Sequence, residues 1–124
     1  MTILLIDDDP VMNLIHQRVI ELELPHTPIQ VFETGPQALR YVQQHTAQRY
    51  MIFLDLNLPV MSGWDFIDAF EQRHQDANYT IFILSSSIDK TEMKKITAHD
   101  RIYSFIQKPL KREIIRDLFD HCET

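Results

Sequence analysis

Five short runs of β-branched and other apolar residues recur along the chain at regular intervals. Each run is about the length of a strand, and most are nearly continuous rather than alternating with polar residues. Continuous apolar runs of this length are typical of strands that are covered on both faces, as in a parallel sheet. The five runs are Thr2–Ile6, Ile29–Phe32, Met51–Leu54, Ile81–Leu84 and Ile102–Ile106.

The segment that follows the first run has the three- and four-residue spacing of an amphipathic helix. Asp9 is a favourable N-cap, and Pro10 suits the first helical position because its missing N–H needs no partner there. We expect the apolar residues of this segment to face the sheet. They are Val11, Leu14, Ile15, Val19 and Leu22.

Four more segments have helical spacing. Gly35-Pro36 opens the second helix, Ser62-Gly63 precedes the third, and Asp89 caps a short fourth helix. The residues predicted to face inward are Ala38, Leu39 and Val42 in the second helix, Phe66, Ile67 and Phe70 in the third, Met93 and Ile96 in the fourth, and Leu110, Ile114, Ile115, Leu118 and Cys122 in the fifth.

This alternation of strands and helices predicts a doubly wound α/β domain, because parallel strands are joined by right-handed helical crossovers. No linker, internal repeat or low-complexity segment interrupts the pattern. We therefore expect residues 1–124 to form a single domain without a separate effector domain.

Composition and charge exclude several classes of function. Of the 124 residues, 44% are apolar and 24% are charged, which is ordinary for a globular domain. The net charge of -6 makes the domain a poor unaided binder of nucleic acid or anionic membranes. No apolar run approaches the ~20 residues of a membrane span, and no secretory signal precedes the first strand, so we expect a cytoplasmic protein.

Cysteine, glycine and histidine are too few or too scattered for several kinds of site. The single Cys122 excludes an internal disulfide framework and a multi-cysteine zinc site. Gly35 and Gly63 are the two glycines, and they cannot build a Gly-rich dinucleotide loop or a P-loop. The six histidines lack metal-ligand spacing and none is forced near the acidic motif, so we interpret them as ordinary surface or packing residues.

Polar residues follow four of the predicted strands, where open α/β sheets bind their ligands. Asp7 and Asp8 follow the first strand, Asp55 the third, Ser85 the fourth and Lys108 the fifth. If the first and third strands are neighbours, three carboxylates converge. At a separation of about 5 Å and an effective dielectric near 20, each pair repels by roughly 3 kcal/mol, so the cluster needs a counter-charge.

The groups that could neutralise these carboxylates indicate what kind of reaction the site could perform. All-oxygen ligands favour Mg²⁺ over zinc, while Lys108 offers a compact positive charge and Ser85 a hydroxyl. A carboxylate between a divalent cation and an ammonium group can act as a nucleophile toward a phosphoryl group. Asp55 is the best-placed nucleophile because it is the lone carboxylate at the end of the central run, whereas Asp7 and Asp8 suit the metal.

Four motifs occur in order along the chain, namely ILLIDDDP, FLDLNLPVMSG, ILSSS and FIQKP. Together they resemble the receiver domain of two-component response regulators, and the resemblance covers essentially the whole chain. It implies a flavodoxin-like (βα)5 fold with strand order 2-1-3-4-5. It also implies a phosphorylation-dependent switch that takes its phosphoryl group from a sensor histidine kinase or a histidine phosphotransferase.

The resemblance implies a phosphoacceptor and a metal site. Asp55 would accept the phosphoryl group. Asp8 would bind Mg²⁺ directly, Asp7 would hold a coordinated water, and Asn57 would supply its backbone carbonyl to the metal. Mn²⁺ would be a possible substitute.

The resemblance also implies a switch. Ser85 and Phe105 would move inward on phosphorylation, and Lys108 would precede a cis peptide bond to Pro109. Phosphorylation would then favour binding of a downstream protein to the surface formed by the fourth helix, fifth strand and fifth helix. The sequence does not identify that protein. Direct binding of nucleic acid and insertion into a membrane are not expected. Self-phosphorylation and slow autodephosphorylation would be the chain's own chemistry, so we do not expect an enzyme acting on an external substrate.

Three alternatives to a receiver fit the sequence less well. A Mg²⁺-dependent phosphohydrolase with an aspartyl nucleophile usually needs a second acid two residues after the nucleophile, where this chain has Asn57. A flavin-binding module needs a Ser/Thr/Gly-rich loop after the first strand, where this chain has three aspartates. A degenerate receiver that binds partners without phosphorylation is disfavoured by the intact motifs.

Two features of the predicted surface are open to more than one interpretation. Lys90, Lys94 and Lys95 cluster on the fourth helix as a solvated charged face, with a docking face as the alternative. Trp64 lies off the inner stripe of the third helix, and we expect it to be partly exposed.

Overall fold

A computed structural model describes residues 1–45, 49–74 and 78–122 of the chain, with the backbone alone for 120–122. Across these ranges the predicted alternation of five strands and five helices is confirmed, and no helix within them is long and apolar enough to cross a membrane. The elements are β1 (Thr2–Ile6), α1 (Pro10–Glu23), β2 (Ile29–Phe32), α2 (Gly35–Gln44), β3 (Arg49–Asp55), α3 (Gly63–Arg73), β4 (Asn78–Ser85), α4 (Lys90–Ala98), β5 (Ile102–Gln107) and α5 (Arg112–Cys122).

The five strands form one parallel sheet in the order β2-β1-β3-β4-β5, which confirms the flavodoxin-like α/β fold. In the register of β1 with β3, Ile6 lies opposite Leu54. In the register of β3 with β4, Asp55 lies opposite Leu84. The strand order therefore brings the carboxyl ends of β1, β3 and β4 next to one another.

Helices cover both faces of the sheet and divide the core into two layers. Leu4 and Ile52 belong to the layer beneath α2, α3 and α4, whereas Ile3 and Phe53 belong to the layer beneath α1 and α5. Successive side chains of a strand point to opposite faces, so each nearly continuous apolar run contributes to both layers. The inward residues predicted for the second and third helices are confirmed, since Ala38, Leu39, Val42, Phe66, Ile67 and Phe70 are all buried.

The face that α1 turns toward the sheet differs from the predicted one. Asp9 caps the helix as expected, because its carboxylate accepts hydrogen bonds from the N–H groups of Val11 and Met12. The buried residues, however, are Asn13, His16 and Ile20. The predicted inner stripe is wrong for four of its five residues, with exposed fractions of 63% for Val11, 69% for Leu14, 40% for Ile15 and 48% for Leu22. Its fifth residue, Val19, is partly buried against the core as predicted.

Helix α4 contacts β5 and contributes little to the core. Ile96 is its one buried residue, and the prediction that Met93 faces inward is wrong because Met93 is 39% exposed. The Nζ of Lys95 lies 5.5 Å from the ring centroid of Trp64, which is partly buried as expected. Just after α4, Nε2 of His99 lies 2.8 Å from Oε1 of Glu71.

The inner face predicted for the fifth helix is confirmed where it is described. Ile115 and Leu118 are buried, and Ile114 is partly buried against the same layer. Leu110 is also buried, but it lies before the start of α5 and not within the helix as predicted. The side chain of Cys122 lies outside the described residues.

Candidate functional site

Three carboxylates converge at the carboxyl ends of β1 and β3, as predicted. Asp7 directly follows β1 and Asp55 is the last residue of β3, so the two are neighbours across the sheet edge. Asp7 and Asp55 are buried, whereas Asp8 is exposed. One carboxylate oxygen from each of Asp7, Asp8 and Asp55 lies within 4.8 Å of the other two.

The carboxylates of Asp7 and Asp55 are held in the same manner. In each, Oδ1 accepts a hydrogen bond from the backbone N–H two residues further on, which is Asp9 for Asp7 and Asn57 for Asp55, both at 3.0 Å. In each, Oδ2 faces Lys108, whose Nζ lies 2.6 Å from Asp7 and 3.3 Å from Asp55. One ammonium group is therefore shared between the two buried carboxylates.

Lys108 reaches the site from the end of β5. Its backbone N–H donates to the carbonyl of Ser85 at 2.9 Å, which joins the ends of β5 and β4. The following peptide bond, Lys108–Pro109, is cis, as the resemblance implied. The side chain of Lys108 is 14% exposed, so its charge acts in a largely desolvated setting.

The pKa values of Asp55 and Lys108 both lie above their ordinary values. Burial raises the pKa of the Asp55 carboxyl, and the Asn57 hydrogen bond and the Lys108 charge reverse only part of that effect. Burial lowers the pKa of Lys108, but its contact with Asp7 and the charge of Asp55 raise it by more. The site therefore holds a fixed ammonium ion beside a carboxylate that is more basic than a surface aspartate.

The two residues predicted to switch lie on the neighbouring strands. Ser85 ends β4 and is 4% exposed, while the adjacent Ser86 is exposed. The Ser85 hydroxyl donates to the carbonyl of Ser87 at 2.7 Å and accepts from the Ser87 N–H at 3.3 Å. Phe105 lies opposite Ile83 in β5 and is half-buried. The Ser85 hydroxyl is thus engaged with its own turn rather than with Asp55.

The donor set of this cluster fits Mg²⁺. The converging donors of Asp7, Asp8 and Asp55 are all carboxylate oxygens, close enough together to share one cation. Magnesium prefers one or two carboxylates together with retained waters, and the exposed Asp8 leaves the site open to water. Asn57, whose carbonyl the resemblance adds to the ligands, is held beside Asp55 by the hydrogen bond from its N–H.

Gly63 allows α3 to begin against the backbone that follows Asp55. Its N–H donates to the carbonyl of Leu56 at 2.9 Å. A Cβ at this position would lie 2.7 Å from Cα of Leu56 and 2.8 Å from the carbonyl oxygen of Asp55. Because those atoms are backbone, any side chain here would displace the turn after Asp55. The sequence analysis placed Gly63 at the start of a helix but did not predict its close approach to the backbone of Asp55 and Leu56.

Sequence reasoning missed two buried polar residues of α1. The Nδ2 of Asn13 donates to the backbone carbonyl of Asp7 at 2.7 Å. His16 is a packing residue, as expected, but it lies close enough to the acidic motif for the charges of Asp7 and Lys108 to act on it. Burial keeps the pKa of His16 below its ordinary value. The spacing of Asn13 and His16, three positions apart in the helix that follows the acidic motif, was a sequence signal for a polar buried face.

Comparison with protein families gives a match over almost the whole chain. The family model described as the response regulator receiver domain matches residues 3–120. Among curated proteins, the transcriptional regulatory protein CitT of Halalkalibacterium halodurans is 21% identical over 118 residues. That alignment covers 95% of this chain and 50% of CitT, so the chain spans about half the length of this curated relative.

Solved structures show the same fold. A two-component response regulator from Cytophaga hutchinsonii has a TM-score of 0.88 and 30% identity, covering 97% of this chain and 94% of that one. A two-component response regulator from Legionella pneumophila has a TM-score of 0.82 and 23% identity, covering 99% and 98% of the two chains. Chemotaxis protein CheY4 of Vibrio cholerae has a TM-score of 0.78 and 19% identity, covering 97% and 96%. The last two are similar in fold alone.

Proposed function

The chain belongs to the response regulator receiver domain family, whose role is phosphorylation-based two-component signalling, and we propose that Asp55 is its phosphoacceptor. The placement of Asp55 carries this proposal. Its buried carboxylate lies 3.3 Å from Nζ of Lys108 and within 4.8 Å of oxygens from Asp7 and Asp8. Because burial raises its pKa, the carboxylate is more basic, and so a better nucleophile, than a surface aspartate.

In the proposed reaction, an oxygen of Asp55 attacks the phosphorus of a phosphohistidine on a sensor kinase or a histidine phosphotransferase. The new P–O bond forms as the P–N bond breaks, and the donor imidazole leaves with the electron pair. Negative charge is spread over the equatorial phosphoryl oxygens in the transition state. The ammonium group of Lys108 and the hydroxyl of Ser85 are the groups of this chain that would stabilise it.

Receivers of this family bind Mg²⁺ at an acidic pocket, and we assign its ligands in this chain. Asp8 and Asp55 would bind directly, Asp7 through a water, and Asn57 through its backbone carbonyl. When bound, the cation reduces the repulsion between these carboxylates and the incoming phosphoryl group. Mn²⁺ suits the same oxygen ligands and would substitute.

The proposed switch is a change of hydrogen-bond partner for Ser85. In the unphosphorylated chain its hydroxyl bonds to Ser87, and a phosphoryl group on Asp55 would compete for it. Movement of Ser85 and Phe105 would then shift α4, which buries Ile96 alone and so loses few core contacts when it moves. The α4–β5–α5 surface would thereby change its affinity for a downstream protein.

The exposed apolar face of α1 supports a protein as the phosphoryl donor. Val11 and Leu14 are 63% and 69% exposed and lie directly after the acidic turn. Val60, in the loop after Asp55, is 88% exposed. Exposed apolar side chains on the segments that follow Asp7 and Asp55 favour contact with a protein surface over contact with nucleic acid or with a membrane interior. The donor would bury these residues while presenting its phosphohistidine to Asp55.

Incubation with Mg²⁺ and acetyl phosphate tests the assignment. We expect an acid-stable, base-labile phosphate on the wild-type chain and none on Asp55→Asn. Asp68→Asn, an exposed aspartate of α3, is the matched control and should label normally. A label that persists in Asp55→Asn would overturn the site assignment, and multiple turnover of unrelated phosphate esters would favour a Mg²⁺-dependent aspartyl phosphohydrolase instead.

A further inference from the structure

In the first two turns of α1, the orientation of the helix opposes the hydrophobic effect. The helix buries the polar Asn13 and His16 while Val11 and Leu14 point to solvent. Asn13 Oδ1 and both ring nitrogens of His16 have no hydrogen-bond partner among the described residues. Turning polar groups inward and apolar groups outward costs free energy, so a local contact must favour this orientation. Departures of this kind are expected where a function depends on them.

The contact that Asn13 makes is with the acidic turn. Its Nδ2 donates to the carbonyl oxygen of Asp7 at 2.7 Å, and Asn13 is 4% exposed. That carbonyl belongs to the peptide group that joins Asp7 to Asp8. The hydrogen bond therefore fixes the plane of the peptide between two carboxylates of the proposed metal site.

The other polar groups of Asp7 are also engaged. Its N–H donates to the carbonyl of Phe32 at 3.1 Å, its Oδ1 accepts from the Asp9 N–H, and its Oδ2 faces Lys108. The hydrogen bond from Asn13 to the Asp7 carbonyl supplies the remaining restraint, and it joins two residues that are six positions apart in the sequence. Without it, the peptide between Asp7 and Asp8 could rotate and carry the Asp8 carboxylate away from Asp55.

We propose that Asn13 is a positioning residue, which orients the Asp7–Asp8 peptide so that the carboxylates can share one divalent cation. This inference rests on the proposed Mg²⁺ site. It assigns to α1 a function besides packing, and it gives a reason why the helix exposes its apolar stripe.

Two variants separate positioning from folding. Asn13→Leu keeps a similar volume, adds no charge and removes the amide donor. Ile20→Ala lies two turns further along the same buried face and removes core packing without touching the acidic turn. Mg²⁺ affinity is measured by isothermal titration calorimetry, and stability by urea unfolding without divalent cations.

We expect Asn13→Leu to unfold at or above the wild-type urea midpoint and yet bind Mg²⁺ about tenfold more weakly, a loss of about 1.4 kcal/mol. Ile20→Ala should unfold at a lower urea concentration and bind Mg²⁺ like the wild type.

If Asn13→Leu does not fold, Asn13→Ala is compared with Ile20→Ala at similar stability. Mg²⁺ affinity within twofold of wild type in the Asn13 variant, or equal losses in both variants, would overturn the inference. Failure of the wild type itself to bind Mg²⁺ would instead overturn the proposed metal site.

Discussion

The Nζ atom of Lys108 lies 2.6 Å from Oδ2 of Asp7, closer than its 3.3 Å distance to Oδ2 of Asp55. In the unphosphorylated chain Lys108 is thus the counter-ion of Asp7 as much as of the proposed phosphoacceptor. Since the three carboxylates repel one another, this one ammonium group offsets much of the repulsion when no divalent cation is bound.

Replacing Lys108 by methionine should therefore destabilise the fold. In the absence of divalent cations we expect Lys108→Met to lower the free energy of unfolding by about 3 kcal/mol, the lower end of the range for breaking a buried ion pair. Mg²⁺ should restore part of the loss, because it supplies the missing positive charge. Urea unfolding with and without Mg²⁺ measures both effects. Lys111→Met, at an exposed position, is the control and should change stability by roughly 0.5 kcal/mol or less.

Asp55 should make the fold less stable as the pH rises. Its folded-state pKa lies above the ordinary aspartate value because of burial, so over the interval between the two values the folded chain binds more protons than the unfolded chain. Stability is then lost as pH rises through that interval. Asp55→Asn lacks this titration, so its stability advantage over the wild type should grow from about pH 4 upward and then level off. Urea unfolding at several pH values checks this, and a constant difference would contradict it.

A charge on the apolar face of α1 should block the donor protein and leave the chemistry intact. We expect Leu14→Asp to slow phosphotransfer from a histidine kinase or phosphotransferase by roughly tenfold or more, because Leu14 is 69% exposed and would be buried against the donor. Labelling by acetyl phosphate should not change. The comparison is Gln43→Asp, an exposed position on α2. Equal slowing with acetyl phosphate would point to a distorted site rather than a lost contact.

Trp64 should report movement of α4. It is the one tryptophan of the chain, and the ammonium group of Lys95 lies 5.5 Å from its ring centroid. If phosphorylation shifts α4, this contact changes and so does the tryptophan emission. Lys95→Met should lose most of the response. Ser85→Ala should still be labelled but show little response, because the proposed link between Asp55 and α4 is missing. An unchanged wild-type emission on phosphorylation would count against movement of α4.

The residues that form the acidic site could be predicted from the sequence more reliably than the residues that each helix buries. Asp7, Asp8, Asp55 and Lys108 each follow or end a recognisable strand, and parallel strands carry their ends to one edge of the sheet. Their convergence could therefore be predicted from strand order alone. The roles assigned to them remain predictions that the experiments above address.

The buried faces of the helices were harder to predict, because in α1 and α4 the buried residues are not the ones that hydrophobic spacing selects. Met93 was predicted to face inward, yet it is 39% exposed and α4 buries Ile96 alone. In α1 most of the predicted stripe is exposed, and the buried face instead carries Asn13, whose amide meets the carbonyl of Asp7. Hydrophobic spacing shows which face of a helix is the most apolar. It carries no information about a polar backbone group elsewhere in the fold, such as the carbonyl of Asp7, that the buried face contacts.

The amino-acid sequence by itself determined the fold class, the strand positions and the set of residues at the acidic edge, since these follow from short-range patterns and from the geometry common to parallel sheets. Only the tertiary structure decided which face of α1 is buried and how Lys108 divides its charge between Asp7 and Asp55. These depend on distances of a few ångströms between groups on different elements, which the order of residues along the chain does not specify.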